Sequence, residues 1–406
     1  EDGLRPHVPV VNQITSIPVS FPFPQMFIGH VHSILMTGDK LYTINADWSV
    51  TLQLDLSGVI VNQTTWHFAD YHDYVILCNE EVTIVYDTTT TVYTNRAADS
   101  TMPLLRSVMD FNGQIIAVPN STWHDTDTNS LIWSAIGSAD FSVTQSNVRG
   151  YRPMPWDGEV YKVMKLGDHP MAYGSGGVAA CKFSGVNLGL LRTFDFGIWS
   201  REAVGGDEFG QVLISEKGEL IELTPDLSIK TRGYTEFFEN MGEISVTFDP
   251  EERDFYISDG VTSFIKTDQG LARINQAATS LDYYAGQLIG PFTDLNDDEG
   301  RIVSDTIDFG RRGRKTVDVI EVGADSISEV YVAADWRMDK TASFRRTPFK
   351  RLNIHGETVL PIAGNEFRFV IKSDNYLGFN LDYYIARIKL DDKRFIRGTN
   401  ANTSTS

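Results

Sequence analysis

Ser33-Ile34-Leu35-Met36, a Gly38-Asp39 turn and Lys40-Leu41-Tyr42-Thr43-Ile44 form the stretch whose reading sets the fold. Both runs alternate with the period of two that a strand requires. A short turn rich in Gly and Asp matches the right-handed twist of paired strands, so the stretch reads as a β-hairpin. The unit recurs. Residues 74–77 lead to 82–86, and 106–111 lead through Asn112-Gly113 to 114–118. Residues 161–164 lead through Gly167-Asp168 to 171–173, 211–214 through Lys217-Gly218 to 220–223, and 244–248 through Pro250-Glu251 to 254–257. The spacing of ~35–55 residues brackets the ~40–50 of a four-stranded propeller blade. A hairpin of this length cannot bury a face alone, whereas radial packing against neighbours buries both faces and leaves short edges. The expectation is an all-β chain with about six blades over residues 29–292; a β-sandwich joined to a barrel is the competing arrangement.

Outward from the blades the texture changes. Pro6, Pro9, Pro18, Pro22 and Pro24 crowd the first residues, and proline favours extended backbone with few ladder bonds, so residues 1–28 read as an arm lying on its own domain or a neighbour. Apolar spacing over 269–285 predicts the one helix. An acidic stretch at 294–300 marks a boundary. Six further alternating runs within 293–398 predict a C-terminal antiparallel β-sandwich of jelly-roll type, and 399–406 a polar, flexible tail.

The chain has 406 residues, 42% of them hydrophobic and 22% charged, which excludes intrinsic disorder, and no apolar run is long enough to span a membrane as a helix. Lys and Arg total 35 against 54 Asp and Glu, a formal charge of −19. Such a field repels polyanions, so nucleic acid fits as a passing partner and not as a tightly held one. Cys78 and Cys181 are too few for a disulfide framework and fit no zinc motif.

Catalytic signatures are missing: there is no GxSxG elbow, P-loop, HExxH or dinucleotide fingerprint. Gly174-Ser175-Gly176-Gly177 lacks a following helix to cradle phosphate and reads as a bend. His30 and His32 share a strand face but lack a third ligand. Asp294, Asn296 and Asp298 alternate as calcium ligands do, yet Glu299 stands where an EF-type loop needs Gly; a solvated loop is the plainer reading. Glu80-Glu81, Glu251-Glu252 and Asp391-Asp392 read as exposed turns. No cofactor is expected. Arg311, Arg312, Arg314 and Lys315, with Arg345, Arg346, Lys350 and Arg351, gather cations in the C-terminal domain, where contact with an acidic neighbouring subunit or adaptor is expected.

One segment is more specific. Leu131-Ile132-Trp133-Ser134-Ala135-Ile136-Gly137-Ser138-Ala139-Asp140-Phe141-Ser142 resembles the "W-S-A, G-x-x-x-D-F" stretch of tail proteins of tailed bacteriophages, in which it closes a propeller blade. Trp133 would fill a wedge between blades, with Gly137 and Asp140 shaping the turn before Phe141. Ile307-Asp308-Phe309-Gly310 and Gly378-Phe379-Asn380-Leu381-Asp382-Tyr383 look like the C-terminal β-domain of such proteins. The whole chain thus resembles the tail nozzle, or DNA-stabilisation, component of short-tailed phages. That resemblance implies a non-enzymatic virion protein, assembled in the host cytoplasm as a ring, commonly a hexamer, below the portal and adaptor. Double-stranded DNA would pass through without sequence readout, and tail fibres or spikes would be further partners. A glycan- or receptor-binding module, with Trp48, Trp66, Trp123, Trp156, Trp199 and Trp336 stacking on sugars, is the alternative; a propeller hydrolase is a third class, for which a central pocket with three or more convergent carboxylates and histidines would be the deciding feature.

Overall fold

The computed structural model describes residues 11–13, 25–28, 33–47, 49–62, 64–96, 101–120, 123, 128–142, 149–185, 187–268, 270–274, 276–278, 282–284, 287–290, 292–294, 300–304, 306–310, 314–324, 329–373 and 381–390. They fall into two compact units, one ending with strand Phe292–Asp294 and one starting with strand Gly300–Val303. Among them the only helix is the single turn Thr235–Phe238, and none is long and apolar enough to cross a membrane.

The first unit contains six four-stranded antiparallel sheets in sequence order: residues 25–55, 67–95, 105–153, 160–194, 204–233 and 245–274, here blades 1 to 6. Each of the six hairpins read from the sequence supplies two adjacent strands of one blade. Alternation explains how blades pack. In strand Tyr74–Cys78 of blade 2, Val75 and Leu77 join Ile34, Met36 and Leu41 of blade 1, whereas Ile76 and Cys78 join Ile115 and Ala117 of blade 3. In blade 3, Ile116, Val118 and Trp133 turn the other way, onto Ala172, Ala179 and Cys181 of blade 4. Because both faces are covered, the middle strands read as unbroken apolar runs. Each such side chain contributes roughly 1.5–3 kcal/mol on burial.

The chain closes beyond blade 6. Strands Gln276–Ala278 and Phe292–Asp294 pair with each other, as do Asp282–Tyr284 and Gln287–Gly290. Val11–Gln13, from the proline-rich start, adds in parallel to Gln287–Gly290. Asp282–Tyr284 lies beside the inner strand of blade 1, Gln25–Ile28, and Gln276–Ala278 beside Phe255–Ser258 of blade 6. The start of the chain is thereby tied to the segment that follows the last blade. Two expectations are corrected here. Gln25–Ile28 is the first strand of blade 1 and not part of an arm running to residue 28. The described residues of 269–285 hold strands and no helix: Leu271–Ile274 is the outer strand of blade 6, and strands Gln276–Ala278 and Asp282–Tyr284 follow.

The second unit is an antiparallel sandwich. One sheet orders Gly300–Val303, Glu366–Ser373, Val330–Arg337 and Arg345–Arg346, with Lys350–Arg351 also on Val330–Arg337; the other orders Glu357–Gly364, Lys315–Ala324 and Leu381–Leu390. Val317, Ile320, Val322 and Leu360 of the second sheet meet Val332, Ala334, Phe367, Phe369 and Ile371 of the first in one core.

Candidate functional site

The inner strands of the propeller carry ionisable side chains near their starts, and these meet across the axis in two layers. In the deeper layer His67 (blade 2) places Nε2 2.7 Å from Glu202 Oε1, at the entry to blade 5. Lys162 of blade 4 donates from Nζ to Glu202 Oε2 at 2.8 Å and to the Val204 carbonyl at 3.2 Å. Ser107 of blade 3 lies 3.2 Å from His67 Nδ1 and accepts the Val163 N–H at 3.1 Å. Blades 3 and 4 lie between blades 2 and 5 along the chain, so the His67–Glu202 bond joins blades that are not neighbours. Burial works to raise the Glu202 carboxyl, but the charges of His67 and Lys162 and the hydrogen bonds they donate outweigh it and hold the group well below the usual carboxylate range.

Above it, at the same end of the inner strands, Arg106 is buried between two carboxylates. Its Nη1 lies 3.0 Å from Glu159 Oε2 and its Nε 2.9 Å from Glu80 Oε1, the latter without hydrogen-bond alignment. Arg106 also donates to the Val160 carbonyl at 3.1 Å and to Asn120 Oδ1 at 3.0 Å. Arg201 pairs with Glu80 and stands 4.0 Å from Glu159. Glu80 has a left-handed backbone, φ 76°, held by its N–H to the Leu105 carbonyl at 3.0 Å; a non-glycine residue adopts that conformation at a cost of about 1–2 kcal/mol. The reading of Glu80-Glu81 as an exposed turn is corrected: Glu80 is half-buried in this cluster, and Glu81 accepts the N–H groups of Val61 and Asn62.

Ser107, His67 and Glu202 stand in the linear order of a nucleophile, a base and an orienting acid. Chemistry there would require Ser107 Oγ to reach a substrate carbonyl, yet Ser107 is 0% exposed and its oxygen already accepts a backbone N–H. Both oxygens of Glu202 are engaged. The arrangement ties four blades together through paired, buried side chains. Among the described residues no group of three or more His, Cys, Asp or Glu side chains is placed to hold a metal ion.

The residues singled out from the sequence fall elsewhere. Trp133 is buried between blades 3 and 4, edge-on to Phe183 at 5.9 Å and directly over Gly150, where a Cβ would come within 2.3 Å of the indole. Gly137 takes φ +70° in the turn after it. Asp140 accepts Ser142 N–H at 2.8 Å and a forked pair from Arg149 at 3.1 and 3.2 Å, while Phe141 packs towards blade 2. These residues share one blade but serve packing. Asp294 lies in strand Phe292–Asp294; Asn296 and Asp298 lie outside the described residues, as do His30, His32, Arg311, Arg312 and 378–380. Arg314 is exposed, but Lys315 is 1% exposed with Nζ on the Asn365 carbonyl, which removes it from any docking face. Trp66 is buried and Trp123, Trp156, Trp199 and Trp336 are half-buried; Trp48 lies outside the described residues. Trp156 rests on the loop at 174–177, where a Cβ on Gly177 would come within 2.6 Å of it, so that glycine run is a packing bend.

No family model and no curated protein sequence matches the chain. Among solved structures it is similar to PorZ, a surface component of the type-IX secretion system of Porphyromonas gingivalis, at 9% identity and TM-score 0.40, covering 70% of this chain and 35% of that one. It is also similar to the extracellular domain of BT4673 from B. thetaiotaomicron, at 11% identity and TM-score 0.45, covering 85% and 46%. The chain therefore spans less than half the length of either.

Proposed function

We propose that this chain is a structural subunit of a bacteriophage tail, the nozzle component of a short tail, which assembles as a ring below the portal and adaptor and lines the path of the genome. The observation that carries the reading is the inner-strand cluster of His67, Lys162 and Glu202: its groups are paired with one another and Ser107 beside them is buried, which favours a rigid block over a reaction vessel. In the proposed ring the passage for the genome would lie between copies. The phage-tail resemblance of residues 131–142 supplies the setting, and the acidic balance suits a wall that a polyanion slides past without sticking. Exposed Arg314, with Arg311 and Arg312 beside it in sequence, would face the adaptor. Negative-stain microscopy of the purified protein, and immunogold labelling of virions, tests the reading. Rings and a tail-tip location are expected; a strict monomer absent from any particle overturns it.

A further inference from the structure

A sheet edge is a row of backbone N–H and C=O groups that another strand can pair with, and proteins guard such edges unless they use them. The sandwich has four. Gly300–Val303 ends one sheet with a strand of only four residues. The opposite edge of that sheet is broken into Arg345–Arg346 and Lys350–Arg351, two residues each. On the second sheet, Glu357–Gly364 carries Pro361, which has no N–H to donate, and its Val359 carbonyl accepts from Lys350 Nζ at 2.8 Å. Three edges are thus short, interrupted or capped.

The fourth is different. Leu381–Leu390 runs for ten residues with neither Pro nor Gly, about twice the common strand length. It pairs with Lys315–Ala324 on one side and, among the described residues, with no strand on the other. Its register skips Asp382 near the start; beyond that the one irregularity is Asp318, which bulges from the neighbouring strand and leaves Tyr383 to Leu390 continuous. Charge does not guard this edge either. Arg387 is drawn back over its own sheet by Glu321 and Glu357, at 3.1 and 2.9 Å, and Lys389 by Asp318. Along the same face Tyr383 and Ile385 are each 49% exposed.

We infer that Leu381–Leu390 pairs antiparallel with its own equivalent in a second copy, joining two three-stranded sheets into one. The strand is self-complementary in that direction. Asp382 stands near its start and Arg387 and Lys389 near its end, so antiparallel pairing brings unlike ends together, whereas parallel pairing aligns like charges. Directly opposed residues of an antiparallel pair share a face. A two-fold axis at Ile385 therefore sets that side chain against its equivalent, with Tyr383 opposite Arg387 of the second copy on either side. Backbone hydrogen bonds supply the contact, and the exposed apolar side chains fix its register. An isologous contact uses one patch twice, whereas a ring joins two different patches, so this inference stands apart from the ring reading.

The test places charge at the two-fold. Ile385→Lys and Ile385→Glu each set like charges face to face and should weaken dimerisation, read by sedimentation equilibrium, by more than about tenfold. The melting temperature should not move, since the side chain is exposed. Mixed one to one, the two variants should recover dimers, because opposite charges then meet. Ile385→Cys should form a disulfide-linked dimer on a non-reducing gel, and Val359→Cys, 58% exposed on the far strand of the same sheet, should not; Cys78 and Cys181 are buried. That disulfide reports the contact whether or not rings form, so a wild type that dimerises without building rings removes only the ring reading. The inference is overturned if either charged variant dimerises like the wild type, if the mixture stays monomeric, or if the wild type is a monomer at every concentration. In that last case, dimerisation of a chain ended at Leu390 would assign the edge to residues 391–406 instead.

Discussion

Glu202→Ala removes the central member of the inner-strand cluster while leaving its partners in place. Lys162 would keep only the Val204 carbonyl at 3.2 Å and His67 only Ser107. Stripping the counter-charge from a buried pair costs about 3–5 kcal/mol. The low end applies, because the Lys162 side chain is 16% exposed and retains that carbonyl. For a unit of about 280 residues, an unfolding entropy of about 2.1 cal/mol/K per residue turns ~3 kcal/mol into a fall of about 5 °C in Tm. The control is Glu208→Ala: its partner Lys165 and Glu208 itself are each 41% exposed, so the loss should stay below about 1 kcal/mol, or 2 °C. Replacing His67, Lys162 and Glu202 together with Leu, Met and Leu should recover most of the loss, since a well-packed apolar set avoids desolvating the charges.

The pH dependence follows in sign. The folded Glu202 carboxyl sits below its ordinary 4.5, so its contribution is complete above that value and disappears as the pH falls through the folded pKa. Differential scanning calorimetry from pH 7 to pH 3 should show the gap between wild type and Glu202→Ala at full size at neutrality and narrowing once the pH drops below 4.5. Melting temperatures within 1 °C of each other at pH 7 would refute the view that the blades are tied together by this carboxylate.

Trp133→Ala should cost about 3–5 kcal/mol, the range for emptying a buried aromatic site; an unchanged Tm contradicts its placement between blades 3 and 4. Asp254→Asn should stabilise the chain by about 1 kcal/mol at pH 7.5 in high salt and by less at pH 4.5. A carboxyl raised to about 6 from 3.8 loses folding stability as the pH climbs through that window, and equal gains at both values would count against it. Ser107 in the folded protein should resist a fluorophosphonate probe over hours, and labelling detected by mass spectrometry would reopen the hydrolase reading.

The hairpins were legible because two local signals agreed. Turn chemistry at Gly38-Asp39 and Asn112-Gly113 set the register, and apolar runs such as Ile115–Val118 marked strands covered on both faces. The misread region 269–285 lacked that agreement. Leu271–Ile274 is an outer strand whose middle residues are exposed, so its apolar ends stand three apart and imitate a helical face until pairing with Ser263–Lys266 decides otherwise. The inner-strand cluster was invisible for a different reason. His67 and Glu202 are 135 residues apart, and Arg106 and Glu159 are 53, and each alone resembles an ordinary polar position on a half-buried strand. The signal that could have found them is positional: His67, Arg106, Lys162 and Glu202 each stand near the start of the strand facing the axis, the one place in a propeller where all blades converge.

That convergence bears on how an acidic chain could guide DNA. In the proposed nozzle role the acidic excess of residues 1–299 would act as a wall to a passing duplex. At physiological salt its field reaches about 8 Å, enough to hold phosphates off the surface but not to block a passage wider than a duplex. A basic lining would do the opposite, because each phosphate neutralised releases counterions and adds affinity that must be broken before the duplex can advance. Salt offers the check: 500 mM should screen that wall while leaving the apolar blade interfaces, and hence the fold, intact.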